Sequence, residues 1–481
     1  MGRGNDPSPS EKTGAKGPGV TTWTYCKGCI EKQRELDKLK EENRLLKDRL
    51  RYQERTVDER PFGSSTPSSK VPLKPGADPE RRERQGGAKV GHKGHGRRAF
   101  TMDEADRFER VPAQRCCPDC GEVLRSKGLK RRTVLECRPV EVEKILYALE
   151  RKHCPRCGKT LQARPPEVLP KCKAGNGLLA HVGIEHYVHG VTLGRLAEQT
   201  GVGIGSLIDA MHSLARQLQG VSDKLANHYR RAPVKHADET GWRNNGDNGY
   251  GWLFCTEDIS VFRFRKTRSA AVPREVLGKK TLPGVLVVDR YAAYNKAPCK
   301  LQYCYAHLLR DVEDLQTTFP DSKEVASFVQ TFAPLLSTAM GLRALRLSKR
   351  QFQRQANHLK RQVLASVHRS AQHPAIQKIQ DIFRQHANRL FHWARDPTIP
   401  AENNLAEREL RPLVIARKLS FGSQSDEGAR TREILMTVLR TLKKTSPHPH
   451  HQLKSALNDL AKNPNANLFK LLFPSLKSTR Y

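Results

Sequence analysis

The chain has 481 residues, room for about three domains, and its 85 Lys and Arg against 50 Asp and Glu give a formal net charge of +35 and a pI near 10.0. Net charge is +9 over residues 1–100, +5 over 101–220 and +21 over 221–481, which excludes a neutral globule carrying one basic tail and points to a polyanion, nucleic acid before an acidic membrane surface. No apolar signal core occupies the first 25 residues, and Ala326–Leu342, broken by Gln330, Pro334, Ser337 and Thr338, falls short of the roughly 20 residues a span needs, so a soluble cytoplasmic, nucleoid-associated protein without a membrane partner is expected.

Residues 1–28, rich in Gly, Pro, Ser and Lys, are expected to be disordered. Residues 29–55 are predicted to form a leucine-zipper-like coiled coil. Leu36, Asn43 and Leu50 fall at a positions and Leu39 and Leu46 at d positions, a seam that suits a parallel dimer and therefore a homo-oligomer. Residues 56–100 hold Pro61, Pro67, Pro72, Pro75 and Pro79 and a glycine-rich basic end, Lys89 to Arg98; this is a basic linker, either a solvated tether or a strip that tracks phosphates.

Residues 101–170 carry the strongest local signal. Cys117-Pro118-Asp119-Cys120-Gly121 and Cys154-Pro155-Arg156-Cys157-Gly158 are twin knuckles, whose four thiolates suit one closed, structural Zn²⁺ site in a small zinc ribbon. Symmetry favours Cys117 over its neighbour Cys116, and the alternation at Val140, Val142, Ile145 and Tyr147 predicts strands between the knuckles. Cys26 and Cys29 form a third C-x-x-C just before the zipper, read as free thiols ahead of a metal shared by two such pairs in a zipper dimer. Over 175–230, Leu193–Thr200, Gly201-Val202-Gly203 and Ile204–Leu218 read as a helical helix-turn-helix-like DNA-binding module, with Ile204, Leu207, Ile208, Met211, Leu214 and Leu218 as its apolar stripe. His181, His186 and His189 read as packing or DNA-facing residues rather than ligands.

Residues 231–310 change to strands. Val234–Ala237 leads into Asp238; Gly251–Thr256 and Ser260–Arg265 alternate around Glu257-Asp258; a helix is predicted near Ala270–Leu277. Gly284–Val288 is a buried strand ending on Asp289, and Gln302–Ala306 a last strand. That order is α/β and ribonuclease-H-like. Asp238 and Asp289, each at a strand end, would share one sheet edge, where a hard cation, Mg²⁺ or Mn²⁺, relieves the repulsion between carboxylates. A third acid is expected on the helix within residues 400–445, where Glu402, Glu407 and Glu409 all qualify; Asn404, Glu407 and Arg411 share a face at i, i+3, i+7 spacing.

Between these parts, residues 311–399 form a basic helical insertion. From Val325 to Gln380 there is no Asp or Glu and there are nine Lys or Arg. Arg343, Arg346, Lys349, Arg350, Arg354, Lys360 and Arg361 are the candidate phosphate contacts, joined by Arg408, Arg411, Arg417 and Lys418 near the third acid. Residues 446–481 are predicted to be a C-terminal helical tail.

Taken in order, the zipper, Gly91-His92-Lys93-Gly94-His95, the twin knuckles, Gly177–His181, His236–Trp242, Val288–Tyr294, Cys304–Arg310, Asn403–Arg408 and Arg417–Ser423 resemble bacterial transposases of the insertion sequence 66 family, which are Asp-Asp-Glu recombinases. The resemblance implies that Asp238, Asp289 and Glu407 form the metal-binding catalytic triad, with Mg²⁺ or Mn²⁺ as cofactor. It also implies that double-stranded DNA, as element ends and target, is the partner, with accessory proteins a further expected class. The chain departs from the family pattern at Asp289-Arg290-Tyr291, where the family has Asp-Gly-Tyr, and at Tyr305, where it has Trp. The expected activity is metal-dependent DNA cleavage and strand transfer. A DNA-binding derivative without cleavage and a metal-dependent nuclease without strand transfer are the alternatives.

Overall fold

Between Cys29 and Asp58 the sequence has neither Pro nor Gly and is dense in Glu, Lys, Arg and Leu, so the backbone forms one uninterrupted helix, α1 (Lys27–Asp58), as intrinsic propensity predicts. The structure, a computed structural model, describes residues 27–58, 102–103, 120, 123, 141–153, 155, 157, 160–162, 165–170 and 172–476. Leu36, Leu39, Leu46 and Leu50 are each about half exposed along α1. The linker run Lys89–Arg98, Cys116, Cys117 and Cys154 lie outside the described residues. The chain divides into two compact units, Met1–Ser65 with Tyr305–Leu390, and Thr66–Cys304 with Phe391–Tyr481.

In the second unit a short antiparallel hairpin, β1 (Arg151–His153) and β2 (Thr160–Gln162), brackets the second knuckle. Residues 141–150, where alternation predicts strands, form none. Ile145 is 60% and Leu146 98% exposed, so no apolar layer rewards pairing there. A helical module follows. Helix α2 (Asn176–Ile184) runs into a π-helical turn, Glu185–His189, that ends at left-handed Gly190. Helix α3 (Leu193–Thr200) is capped by Thr192 and stopped by left-handed Gly201, as capping chemistry predicts. Helix α4 extends well past Leu218, from Ile204 to Arg231, and buries Leu207, Met211, Leu214, Leu218, Val221 and Leu225. Ile204 and Ile208, expected on that stripe, are exposed instead; Ile208 is turned about 100° from Leu207, off the packed face.

The central sheet has five strands, β3 (Val234–Asn244), β4 (Asp247–Cys255), β5 (Ser260–Arg265), β6 (Val285–Val288) and β7 (Lys300–Tyr303), in the spatial order β5-β4-β3-β6-β7. Helix α5 (Ala271–Leu277) follows β5. The first three strands are antiparallel; β6 and β7 join parallel. Asn245 and Gly246, both with positive φ, make the two-residue turn of the β3–β4 hairpin, the backbone that Asn-Gly supplies most readily. Gly284 is also required by geometry: with φ +80, a Cβ there would lie 2.1 Å from the Pro233 carbonyl oxygen, where Val285 N–H donates to that same oxygen at 2.9 Å and starts the pairing of β6 with β3. Strand β7 is shorter than predicted; Tyr305 and Ala306 already belong to the next helix.

After residue 390 the chain returns to this sheet. Gln302 on β7 accepts from the His392 and Trp393 N–H groups, and Ile399 packs on Val285 and Val287. Helices α10 (Asn404–Ser420), α11 (Asp426–Thr445), α12 (Pro449–Lys462) and α13 (Leu468–Leu472) complete the unit; α11 lies between α4 and β5, and α12 packs on α2. Strand β5 is a sheet edge, and α11 satisfies it with side chains. Thr441 Oγ1 accepts from Ser260 N–H (3.0 Å), Thr437 Oγ1 from Phe262 N–H (3.0 Å) and Glu433 from Phe264 N–H (3.1 Å). Every second strand residue meets every fourth helix residue because about 6.6 Å of strand matches about 6 Å of helix, and an edge dressed in this way cannot template another chain.

The other unit is helical beyond α1. It contains α6 (Tyr305–Thr318), α7 (Lys323–Gly341), α8 (Lys349–His368) and α9 (Pro374–Gln385). Ser348 and Gln351 form a reciprocal capping box at the start of α8. Lys323–Leu345 is, by length and composition, long and apolar enough to cross a membrane, yet its Val325, Phe332, Leu336 and Ala339 are buried where α7 packs on α6 and α8. On the opposite face of this bundle, Lys349, Arg350, Arg354 and Arg361 of α8 and Arg343 and Arg346 just before it are exposed, with Lys360 half-buried.

Candidate active site

Strands β3 and β6 run parallel with Val234, Lys235 and His236 opposite Val285, Leu286 and Val287. Asp238 lies two residues past the last of these pairs on β3, and Asp289 directly follows the end of β6. Both are buried, at 2% and 6% exposure. Asp238 does not end its strand as expected: β3 keeps its pairing with β4 as far as Asn244 opposite Asp247. The parallel ladder with β6 ends at His236, two residues before the acid, while the pairing with β4 continues past it.

Helix α10 brings Glu407 to this edge. Asn403, buried just before the helix, donates from Nδ2 to the Ala237 carbonyl (2.9 Å) and pairs its Oδ1 with His236 Nδ1 (2.8 Å), while its own N–H donates to Cys304 Sγ (3.1 Å). Glu407 N–H donates to the Asn403 carbonyl at 3.2 Å, one helical turn on. At the far end the Arg417 guanidinium donates to Thr240 Oγ1 (2.8 Å) and the Gly241 carbonyl (2.7 Å). The helix is thus fastened to β3 on both sides of Asp238. Between the anchors it approaches so closely that a Cβ on Gly251 of β4 would stand 2.6 Å from Leu413 Cδ2. Glu407 is 6% exposed and holds a carboxylate oxygen within 4.8 Å of Cys304 Sγ; Cys304 N–H in turn donates to the Val288 carbonyl, next to Asp289.

The three glutamates on this segment are therefore separated by their surroundings. Glu409 bonds Ser260 Oγ (3.3 Å) and pairs with Lys444 (3.3 Å) and Arg440 (3.7 Å), a structural tie to α11. Glu402 is half-buried before the helix starts. The expected face of Asn404, Glu407 and Arg411 is not the one that forms: Asn404 and Arg411 are exposed, and Glu407 is buried with Ala406, Leu410 and Leu413. Arg417, expected to contact DNA, is committed to β3, whereas Arg408, Arg411 and Lys418 stand exposed.

Glu239, which no sequence pattern singles out, completes the electrostatics. Fully buried, it accepts from Arg268 Nε (3.0 Å) and Nη2 (2.5 Å) and from the Tyr294 hydroxyl. The Arg268 guanidinium also lies 4.0 Å over the Tyr291 ring, and Tyr291 N–H donates to Asp289 Oδ1 at 2.9 Å. Burial, and next the charge of Glu239, push the Asp289 carboxyl up to about 7; the Tyr291 N–H, Arg268 and Arg290 oppose that rise. Burial and then the charges of Glu239, Asp289 and Asp238 hold the Tyr294 hydroxyl well above its ordinary range, a sign that these acids surround one point. Buried carboxylates such as Asp238 and Asp289 offer the oxygen ligands that a hard divalent cation takes.

His186 is a packing residue, in keeping with its sequence reading: it bonds the Val191 carbonyl (2.8 Å) and Arg432 (3.1 Å), and burial, then the Arg432 charge, lower its pKa to about 4. Cys120 and Cys157 are exposed thiols; their partners Cys117 and Cys154 lie outside the described residues.

Asn403 positions Glu407 without belonging to the acids. Asn403→Ala leaves His236 Nδ1 and the Ala237 carbonyl without this partner, so a loss of about 2 kcal/mol or more is expected, together with reduced catalysis. Urea denaturation beside an activity assay checks both; unchanged stability and activity would remove the assignment.

Comparison with known proteins places this geometry. A family model described as "Transposase IS66 family" matches residues 171–431, a range that includes Asp238, Asp289 and Glu407. The chain is also similar to three proteins of Sinorhizobium fredii. Uncharacterized protein y4jD is 23% identical over 403 residues, 76% of this chain and 78% of the relative. Uncharacterized protein y4qI is 25% identical over 339 residues, 62% and 61% of the two chains. Uncharacterized protein y4hP is 22% identical over 409 residues, 74% and 72%. With more than half of its length matched by the family model, and a mixed five-stranded sheet carrying acids at one edge, this chain belongs to the transposase IS66 family.

Proposed function

We propose that the chain is a DNA transposase that binds the ends of an insertion sequence and cuts and rejoins phosphodiesters at Asp238, Asp289 and Glu407. The observation that carries this reading is the placement of these acids: one on β3, one directly after the end of the neighbouring parallel strand β6, and the third on a helix clamped to β3 at Asn403 and Arg417. The strand order, third-second-first-fourth-fifth, supports a ribonuclease-H-like core. The three carboxylates are the residues that would hold Mg²⁺ or Mn²⁺, which when bound would supply activation of a water or 3′-hydroxyl and stabilisation of the leaving oxygen. The protein's own groups supply the rest. Arg268 and Tyr294 neutralise Glu239, Asn403 sets the position of Glu407, and the exposed Arg408, Arg411 and Lys418 stand along the same helix to meet phosphates, adding affinity without base readout.

DNA is the partner class that the acid-free exposed face of α8 fits, through Arg350, Arg354, Arg361 and their neighbours. The bare leucine seam of α1 fits a second copy of the chain. The test is a joining assay on DNA carrying the element ends, with Mg²⁺. Joined product is expected; specific binding without cutting would instead support the DNA-binding derivative, and cut ends that never join would support the nuclease.

Cys117, Cys120, Cys154 and Cys157 are proposed to hold one structural Zn²⁺, a reading supported by the β1–β2 hairpin that brackets Cys154 and Cys157. Cys154→Ser is expected to lose about one zinc per chain, since a closed site needs all four ligands. Metal analysis that finds full retention sinks the assignment.

A further inference from the structure

Away from the acids, histidines that are about 260 residues apart in sequence meet at one corner of the second unit. His181 on α2 and His189 on the π-helical turn, with Glu185 between them, line an open cleft of about 560 Å³ together with His448, His450 and His451, which lie in and just before the first turn of α12. We propose that this corner is a binding site for a transition-metal ion of the zinc class, held by His181, His189 and His450 with Glu185 as the orienting carboxylate.

Several independent observations converge on it. His181 Nε2 is sealed from solvent and makes no hydrogen bond, an arrangement that costs about 1–3 kcal/mol unless a ligand takes the lone pair or proton. The His181 and His450 rings lie 6.2 Å apart, centroid to centroid, at 75°. An imidazole nitrogen binds zinc at about 2.1 Å, so two rings on one ion have centroids roughly 5–6.5 Å apart. His189 Nδ1 is tied to Glu185 Oε1 at 2.9 Å, the carboxylate–histidine pairing that orients a ligating ring and directs Nε2 to the metal. The π-helical turn carrying both residues is a rare device that recurs at functional sites.

No three of these donors lie within 4.8 Å of one another, so binding requires the rings, the exposed His450 first among them, to close on the ion toward tetrahedral spacing. Lys443 faces the same cleft, a repulsion that Glu185 offsets. Imidazole donors select zinc, copper or nickel over Mg²⁺, which separates this corner chemically from the catalytic acids. A bound ion would pin α2 to the start of α12 and thereby join the helical module to the C-terminal helices.

The proposal does not depend on the strand-transfer reading. Full-length protein is stripped with chelator, equilibrated with zinc sulfate and analysed for zinc per chain. His181→Gln/His450→Gln is expected to hold one zinc fewer than the unsubstituted protein, and combining it with Cys154→Ser to lose a second. His450→Gln alone, at an exposed ring that leaves the fold intact, is expected to weaken zinc binding at this site at least tenfold, whatever the double variant does to folding. Unchanged zinc content in the double variant, or unchanged affinity in His450→Gln, overturns the proposal. So does weaker DNA binding at unchanged zinc content, which would make the corner a phosphate contact instead.

Discussion

Asp289→Asn and Glu407→Gln are each expected to lower metal-dependent strand transfer by about 10³-fold or more. Metal stabilisation of developing charge contributes several kcal/mol, and about 4 kcal/mol corresponds to 10³ in rate. Each substitution removes one anionic oxygen from the proposed set of three and keeps the side-chain shape, so folding is expected to survive. The discriminating control is Glu409→Gln. Glu409 lies two residues from Glu407 but bonds Ser260, Arg440 and Lys444, so its loss is expected to lower stability while joining persists at permissive temperature. Joining that survives in Asp289→Asn, or that disappears equally in Glu409→Gln without unfolding, would remove the assignment of the three acids.

Arg268→Ala is expected to be the most destabilising single change near the site, by about 3–5 kcal/mol, because it strands a fully buried carboxylate. Glu239 is completely buried and the Arg268 side chain only 10% exposed, so water cannot replace the lost partner. Removing both charges is a different experiment: Glu239→Met with Arg268→Met fills similar volume with no ion to bury, and most of the lost stability is expected to return. Urea midpoints at constant slope measure both. The double variant is nevertheless expected to remain poor in catalysis, since Arg268 also lies over Tyr291, whose N–H holds Asp289. A single variant as stable as the original chain would mean that Glu239 is not charged in the fold.

Much of the site was legible from local pattern. Val285–Val288 followed by Asp289 reads as a buried strand ending on an acid, and that is what forms. The alternation from Gly251 to Arg265 reads as a hairpin and forms one. Where Asp238 sits within its strand was misread, although Asn245-Gly246 carried the turn signal that extends β3 past it. The choice among Glu402, Glu407 and Glu409 was not available from periodicity, since a helix of that composition has no single obvious inner face; the resemblance selected Glu407, and the packing of α10 buries it. Arg417, a candidate DNA contact by its charge and its place near the third acid, also carries a role that charge does not reveal, since it bonds Thr240 and Gly241 of β3.

By itself, then, the sequence determined this protein's broad class: a strongly basic chain, a buried apolar strand followed by an acid, and a set of motifs in one order. Those features are local or compositional, and hydrophobic periodicity reports them directly. Only the tertiary structure decided which polar groups meet. Asn403 reaching His236, α11 threonines dressing the edge of β5, Arg268 neutralising Glu239 and five histidines gathering at one corner each join residues far apart in the chain, from 29 residues for Arg268 and Glu239 to about 260 for the histidines. No spacing rule encodes such pairs. They follow from the need to satisfy buried donors and charges once the hydrophobic core has brought their elements together.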